Sequence, residues 1–165
     1  MKKLNFIKGY FYFLYQNTVH KIWVFYYIIK IILKIKPENK WQLFKRSIVH
    51  DCSKYRHTEI KYCVNSIFKL KHTTYGSDDY KELLDEIWPS IKLHYDRNRH
   101  HPEYHKNGMK DMNKIDELEM MADWVAAVRR HKTGNIFVSL ERNKDRFNYN
   151  DDKKEYFKSI VEKIL

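Results

Sequence analysis

The sequence has few of the residues that form tight turns or cross-links: 4 glycines, 3 prolines and 2 cysteines among 165 residues. So few turn-forming residues disfavour an all-β sandwich or barrel, which needs many hairpins. The cysteines, Cys52 and Cys63, match no zinc or redox spacing, so we expect a reduced, cytoplasmic location. Aromatic residues are not scarce: at 16% of the chain they supply enough apolar surface to argue against disorder.

A long uninterrupted apolar run is also missing. Residues 10–33 are dense in aromatic and aliphatic side chains, but after Lys21 the charge-free stretch ends before Lys30. A spanning helix needs roughly 20 apolar residues, so we expect no transmembrane segment. No small-residue cleavage site follows, which disfavours a secretory signal. We interpret the segment as a core helix that buries His20; the alternative is a basic aromatic helix lying on a membrane surface.

Acidic residues are outnumbered by basic ones. The chain has 32 Lys and Arg against 21 Asp and Glu, a formal net charge of +11. This balance favours anionic partners such as a nucleotide, a nucleic acid or an anionic membrane surface. The charge balance does not distinguish among these partners; nucleic acid is one of them, although the sequence contains no recognisable helix-turn-helix or RNA-binding motif.

Apolar residues recur at helical spacing through most of the chain, which predicts one all-α domain, residues 1–165, with six to eight helices. The first helix is expected from about Leu4 to Lys36, before Pro37. Asn113 is expected to cap a helix with Gly134 just past its end, and the last helix covers 151–165. Between them we predict a helix capped by Thr58, a helix kinked or restarted at Pro89, and a polar loop over 98–108.

Histidine and acidic residues recur where a metal site could be built. His50 and Asp51 are adjacent at the end of an apolar helical run, and an imidazole with a carboxylate suits Mn, Fe, Ni, Co or Zn. Glu119 and Asp123 are four residues apart and so share one side of their helix. Helical bundles assemble metal sites from inward residues on separate segments. Further candidate ligands on other segments are His20, His94, His100 and His101.

These residues, in this order, resemble the HD-domain superfamily of helical metal-dependent phosphohydrolases. Residues 50–54 (His-Asp-Cys-Ser-Lys) are similar to its His-Asp-x-x-Lys element, and residues 119–124 (Glu-Met-Met-Ala-Asp-Trp) stand where its final aspartate ligand belongs. The chain also resembles a bacterial and phage group with H-D-x-S-K, H-H-P-E and E-M-x-A-D-W segments. The resemblance covers about Val19–Val128. The Gly-Tyr-Pro segment of one phosphodiesterase branch is absent.

The resemblance implies one or two divalent metal ions. The first would be held by His20, His50, Asp51 and Asp123. Asp51 would bridge to a second ion held by His94 and His101, with His100 as a further candidate ligand; at least one of His100 and His101 is expected to bind the metal. The resemblance further implies catalytic roles for Asp51, Lys54 and Glu119. Glu119 and Glu103 are candidates for orienting a histidine or for transferring a proton. The expected substrate-binding residues are Lys54, Arg97, Asn98 and Arg99.

The expected function is a phosphohydrolase, either a phosphomonoesterase or a phosphodiesterase, acting on a nucleotide or cyclic nucleotide signal with a metal-activated water as nucleophile. Two alternatives stay open. One is a di-iron oxygenase on the same scaffold, because some members of the superfamily oxidise substrates with oxygen. The other is a basic protein that binds nucleotides or nucleic acid without catalysis.

Overall fold

The computed structural model describes residues 2–56, 59–60, 64, 78–129 and 134–165. Across these residues every regular element is a helix and there is no strand, which confirms the all-α prediction. The α-helices are α1 (Lys2–Ile35), α2 (Lys40–Val49), α3 (Asp78–Tyr95), α4 (Lys114–Val128), α5 (Ile136–Phe147) and α6 (Asp151–Ile164). Short 3-10 helices cover Cys52–Tyr55, Pro102–Tyr104 and Gly108–Asp111.

Two predicted helix boundaries are confirmed. Helix α1 ends at Ile35, just before Pro37, whose ring is incompatible with a continuing helix. At the start of α4, the Asn113 side chain accepts hydrogen bonds from the backbone N–H groups of Ile115 (2.9 Å) and Asp116 (3.0 Å). Asp116 accepts in return from the Asn113 backbone N–H (3.1 Å), which completes a reciprocal cap.

Other local predictions need correction. The sequence predicts a kink or a restart at Pro89; helix α3 runs through this residue without restarting, and the kink stays a prediction. The loop predicted over 98–108 contains the 3-10 helix Pro102–Tyr104, because proline suits a first helical position. Helix α4 ends at Val128, well before Gly134, so that glycine does not cap it. The helix predicted from Thr58 falls largely outside the described residues.

The chain divides into two compact units. The first comprises Met1–Val19 and Asp51–Asn98, and the second comprises His20–His50 and Arg99–Leu165. In the first unit, Phe13, Ile60 and Val64 form a small buried cluster. The interpretation of the chain as one domain stays a prediction.

The second unit has a large apolar core centred on α4. Helix α2 packs on α4, and α4 also packs against α5 and α6. Every residue from 115 to 123 is buried, so α4 has no face in water over this length. Its apolar residues contribute the driving force, at about 1.5–3 kcal/mol for each large side chain fully buried. Its acidic residues are buried with them and require partners.

Helix α1 contributes Val24, Ile28 and Ile31 to this core, each with no exposed surface. His20 is buried, as the sequence predicted. Within the described residues, no helix combines the length and the apolar character required to cross a membrane.

Candidate metal centre

Helix α4 carries four buried carboxylates, each close to a basic side chain in the second unit: Asp116, Glu117, Glu119 and Asp123. Glu117 pairs with Lys153, and Asp116 with Arg46 (Nη1 to Oδ1, 2.5 Å). A buried carboxylate without such a partner would cost several kcal/mol. Asp123 differs from Asp116 and Glu117, because its partners within the described residues are histidines rather than lysine or arginine. Imidazoles can be neutral at physiological pH, so they balance a carboxylate less completely than a permanent cation does.

His20, His50 and Asp123 converge from three helical segments. His20 lies on α1, His50 directly follows α2, and Asp123 lies on α4. The Nε2 atom of His20 is 2.8 Å from Asp123 Oδ1, and the Nε2 atom of His50 is 3.8 Å from the same oxygen. One ligand atom from each residue lies within 4.8 Å of the others, and all three residues are buried. Two imidazoles and a carboxylate suit a divalent ion of intermediate hardness, so the residues present fit the implied metal.

The Asp123 carboxylate is held in its ionised form. Burial by itself favours the neutral acid, but the hydrogen bond with His20 and the nearby imidazoles outweigh it and hold the pKa of Asp123 well below its usual range. An ionised carboxylate is the form that ligates a metal. His20, His50 and Asp123 would hold the cation, and His20 would then give up the hydrogen bond that it shares with Asp123.

Glu119 fixes the orientation of His50. Its Oε1 atom accepts a hydrogen bond from His50 Nδ1 (2.9 Å), which turns Nε2 of the same ring toward Asp123. Burial raises the pKa of Glu119, but hydrogen bonds with His100 and His50 overcome this effect and keep the pKa far below its usual range. Metal-binding histidines commonly donate their second ring N–H to a carboxylate in this way. The expected role of Glu119 in orienting a histidine agrees with this contact.

Arg46 and Asp116 complete this arrangement, and the sequence reasoning did not identify either residue. Arg46 Nε lies 2.5 Å from Glu119 Oε2, while its Nη1 contacts Asp116. Asp116 also accepts a hydrogen bond from Arg99 Nη2 (3.1 Å). Burial raises the pKa of Asp116, but the hydrogen bonds from Arg99 and Arg46 outweigh this effect, so the pKa is lowered. The Asn-x-x-Asp spacing from Asn113 was the available signal for a capping role of Asp116. Nothing local in the sequence indicates its pairing with Arg46.

His100 and His101 both lie in the second unit. His100 is buried, with Nδ1 3.3 Å from Glu119 Oε1 and its ring 4.4 Å from that of His50. His50, His100 and Glu119 form a second group whose ligand atoms lie within 4.8 Å. His101 is half-buried, and its ring centroid is 4.2 Å from that of His100.

In the first unit, Asp51, Lys54 and His94 lie together. Asp51 is buried and has a positive φ of 54°, a conformation that aspartate tolerates better than most residues. Lys54 donates to Asp51 Oδ2 (2.5 Å), and His94 Nε2 is 3.3 Å from Asp51 Oδ1. Two residues expected to act on metals and one expected to bind phosphate are therefore neighbours within this unit.

Glu59 is a buried acid of the first unit that the sequence reasoning also missed. It accepts from Arg97 Nη1 (3.0 Å) and from Ser53 Oγ (3.2 Å), and it lies 3.5 Å from His94 Nδ1. Burial raises its pKa, but His94 and Arg97 more than compensate, so the pKa is lowered. Asn98 donates to Ser53 Oγ (2.9 Å). Arg97 and Asn98, expected to bind substrate, thus both contact side chains of their own unit.

Two further predicted residues have partners away from the histidines. Arg99 binds Asp116, and the hydrogen bond to Asp116 raises the pKa of its guanidinium. Glu103 is exposed and accepts from Arg146 Nη2 (2.6 Å). Neither contact involves His20, His50 or Asp123.

The comparisons with known proteins identify a family without assigning an activity. The chain belongs to DUF5662, a family of unknown function, whose model matches residues 10–165. No curated protein and no solved structure matches the chain.

Proposed function

For this member of DUF5662, we propose a metal-dependent phosphohydrolase that acts on a nucleotide or cyclic nucleotide, with a divalent cation held by His20, His50 and Asp123. The observation that carries the proposal is the convergence of these three buried side chains from three helical segments. The order of these three residues along the chain, together with the His-Asp-x-x-Lys element at residues 50–54, also resembles the pattern of the HD-domain superfamily.

Each residue of this group has a defined task. A bound divalent cation supplies Lewis acidity toward phosphoryl oxygens and acidifies water. Asp123 contributes the negative charge that binds a cation in a buried setting, and His20 contributes a neutral nitrogen donor. Glu119 accepts a hydrogen bond from Nδ1 of His50, so His50 would bind the cation through its other ring nitrogen, Nε2.

The net charge of +11 supports an anionic substrate. Lys54 stays a proposed phosphate-binding residue. Replacing it in Lys54→Ala is expected to raise KM for a phosphate substrate, because a charge-assisted hydrogen bond to the phosphate is lost. Steady-state kinetics with the best substrate from a phosphate-release screen measure this change in KM separately from metal binding.

Phosphate release from a panel of nucleoside mono-, di- and triphosphates tests the activity, and a parallel assay follows the opening of cyclic nucleotides. Each reaction is run with Mn, Fe, Co, Ni or Zn and repeated with a chelator. The key variant is Asp123→Asn, and Asp145→Asn is its control, because Asp145 is exposed on α5. We expect Asp123→Asn to lose more than about 100-fold of a chelator-sensitive rate, given that losing even a partner of a metal ligand costs 10–100-fold. Equal rates in both variants would contradict the proposal.

A second candidate, an iron-dependent oxygenase, is favoured by the donor set itself. Two histidines and one carboxylate suit non-haem Fe(II) as well as a hydrolytic metal. Oxygen consumption by the Fe(II)-loaded protein, with no phosphate released, would favour oxidation. Phosphate release that proceeds without oxygen in the presence of Mn would exclude it.

A further inference from the structure

In the second unit, α1 is apolar on two faces. One face is buried by Val24, Ile28 and Ile31. On the opposite side Ile22 is 60% exposed and Leu33 is 66% exposed. Side chains of this size on the outside of a helix leave apolar surface in water without contributing to the core.

Helix α2 extends this apolar surface. Trp41 is 70% exposed, and its ring centroid lies 6.2 Å from that of Phe44, which in turn lies 6.2 Å from that of Phe25 on α1. Ile48 follows Trp41 by seven residues, two turns later on the same side of α2. The α1–α2 apolar face is defined here by Ile22, Phe25, Leu33, Trp41, Ile48 and Val49.

The same segment is strongly basic. Residues 20–49 contain seven Lys and Arg side chains and one acidic residue, Glu38. Four of the lysines are exposed, and two of these, Lys40 and Lys45, lie on α2 beside Trp41. Arg46 is the basic side chain of this segment that turns inward, to Asp116 and Glu119. The exposed part of the segment therefore combines apolar and positively charged side chains.

We propose that the α1–α2 apolar face binds the surface of an anionic lipid bilayer. Helices that carry aromatic and aliphatic residues together with lysines lie in the membrane interface, with the apolar side chains among the acyl chains and the lysines among the anionic headgroups. Charge complementarity selects this occupant, because a second copy of the chain would place lysines against lysines. The proposal is independent of the metal centre, since none of the six face residues belongs to it.

Co-sedimentation with vesicles tests the proposal. Vesicles of phosphatidylcholine alone are compared with vesicles that also contain phosphatidylglycerol, at low and at physiological salt. Trp41→Ser removes the centre of the face, and its matched control is Trp88→Ser, since Trp88 is 52% exposed on α3. Lys40→Glu/Lys45→Glu reverses charge on the face, and Lys106→Glu/Lys110→Glu reverses two exposed lysines of the same unit elsewhere.

The wild-type protein is expected to bind only the anionic vesicles, with binding weakened by salt. Trp41→Ser and Lys40→Glu/Lys45→Glu should each weaken vesicle binding by about tenfold or more, while both controls bind like the wild type. Tryptophan emission should shift to shorter wavelength on binding, and this shift should shrink in Trp41→Ser. Circular dichroism checks that each variant is folded. We expect all of them to fold, because the replaced side chains are exposed.

Three outcomes would overturn the proposal. The first is no binding to anionic vesicles at low salt. The second is equal binding by the face variants and their controls. The third is a dimer in solution that Trp41→Ser dissociates, without any vesicle binding; the face would then be an interface between copies of the chain.

Discussion

At the scale of single residues, the candidate metal centre depends on which nitrogen of His50 is available. The hydrogen bond from His50 Nδ1 to Glu119 leaves Nε2 on the side of Asp123, and Arg46 keeps Glu119 in place. The contact is therefore more than charge balance for a buried acid. It selects the tautomer and the ring orientation that metal binding requires.

We predict that Glu119→Gln weakens metal binding by about 10–100-fold. An amide is a weaker hydrogen-bond acceptor than a carboxylate, so it orients the His50 ring less firmly and makes that ring a less basic ligand. Glu117→Gln is the matched control: it is the same substitution at a buried position on the same helix, where the partner is Lys153. Isothermal titration with Mn or Zn measures both dissociation constants. Equal affinities would show that the Glu119 contact does not matter for the metal.

Asp116 leads to a prediction about pH. Its pKa is lowered in the folded protein, so its ionised form stabilises the fold above the ordinary aspartate pKa of about 3.9, and this contribution is lost as pH falls through the lowered value. At pH 7, Asp116→Asn is expected to cost about 3 kcal/mol of unfolding free energy, as for a broken buried ion pair. Urea unfolding from pH 7 to pH 3 should show the wild-type advantage shrinking below about pH 4. An advantage that grows on acidification would contradict this account.

The sequence indicated the histidines and Asp123 more readily than it indicated their partners. His20, His50 and Asp123 were predicted from their order and from the resemblance that this order carries. Arg46 pairs with Asp116, which is 70 positions away, and no local sequence pattern predicts a contact over that separation. Glu59 was missed for the same reason, since Arg97 is 38 residues from it.

At the scale of elements, α4 is the helix on which the candidate centre depends. It carries Glu119 and Asp123, and its first turn is fixed by the reciprocal cap between Asn113 and Asp116. Buried helices owe most of their stability to packing, and the cap sets where this helix begins.

Asn113→Ala is predicted to lower the unfolding free energy by about 1 kcal/mol, since the first-turn N–H groups of α4 lose their acceptor. Asn143→Ala, in the interior of α5, is the matched substitution. It should be neutral or slightly stabilising, because alanine is the better helix former there. Urea unfolding compares the two variants. A larger loss for Asn143→Ala would mean that the cap contributes little.

Element boundaries were predictable wherever one residue determines them. Helix α1 ends before Pro37, because the proline ring is incompatible with a continuing helix. Helix α4 begins after Asn113, because the Asn113 side chain accepts hydrogen bonds from the first-turn N–H groups. At Pro89 the sequence predicted a kink or a restart; the restart is wrong, because the loss of one backbone hydrogen bond does not end an 18-residue helix. The end of α4 was misplaced for a different reason: a glycine can cap a helix only if the helix reaches it, and α4 stops at Val128 instead.

At the scale of the whole molecule, the all-α class followed from the scarcity of glycine and proline and from helical apolar spacing. The two faces of α1 were harder to anticipate. A segment rich in aromatic residues predicts burial, but only the packing around α1 distinguishes the buried Val24 from the exposed Ile22.

Metal binding is predicted to stabilise the whole protein. A cation that binds only the folded state adds about 2.7 kcal/mol to the unfolding free energy at a concentration of 100 times its Kd. The melting temperature should therefore rise on adding the preferred metal and fall again with a chelator. Asp123→Asn should abolish the shift, and Asp145→Asn should retain it. A shift of equal size in both variants would point to a different metal site.

The most direct test of the central claim is the metal content of the purified protein, measured by elemental analysis after incubation with Mn, Fe, Co, Ni or Zn and removal of excess ion. We predict at least about one equivalent per chain in the wild type and in Asp145→Asn, and a loss of about one equivalent in His50→Ala/Asp123→Asn. A wild-type protein without metal under every condition, or a double variant with unchanged content, would contradict the claim that His20, His50 and Asp123 form a metal centre.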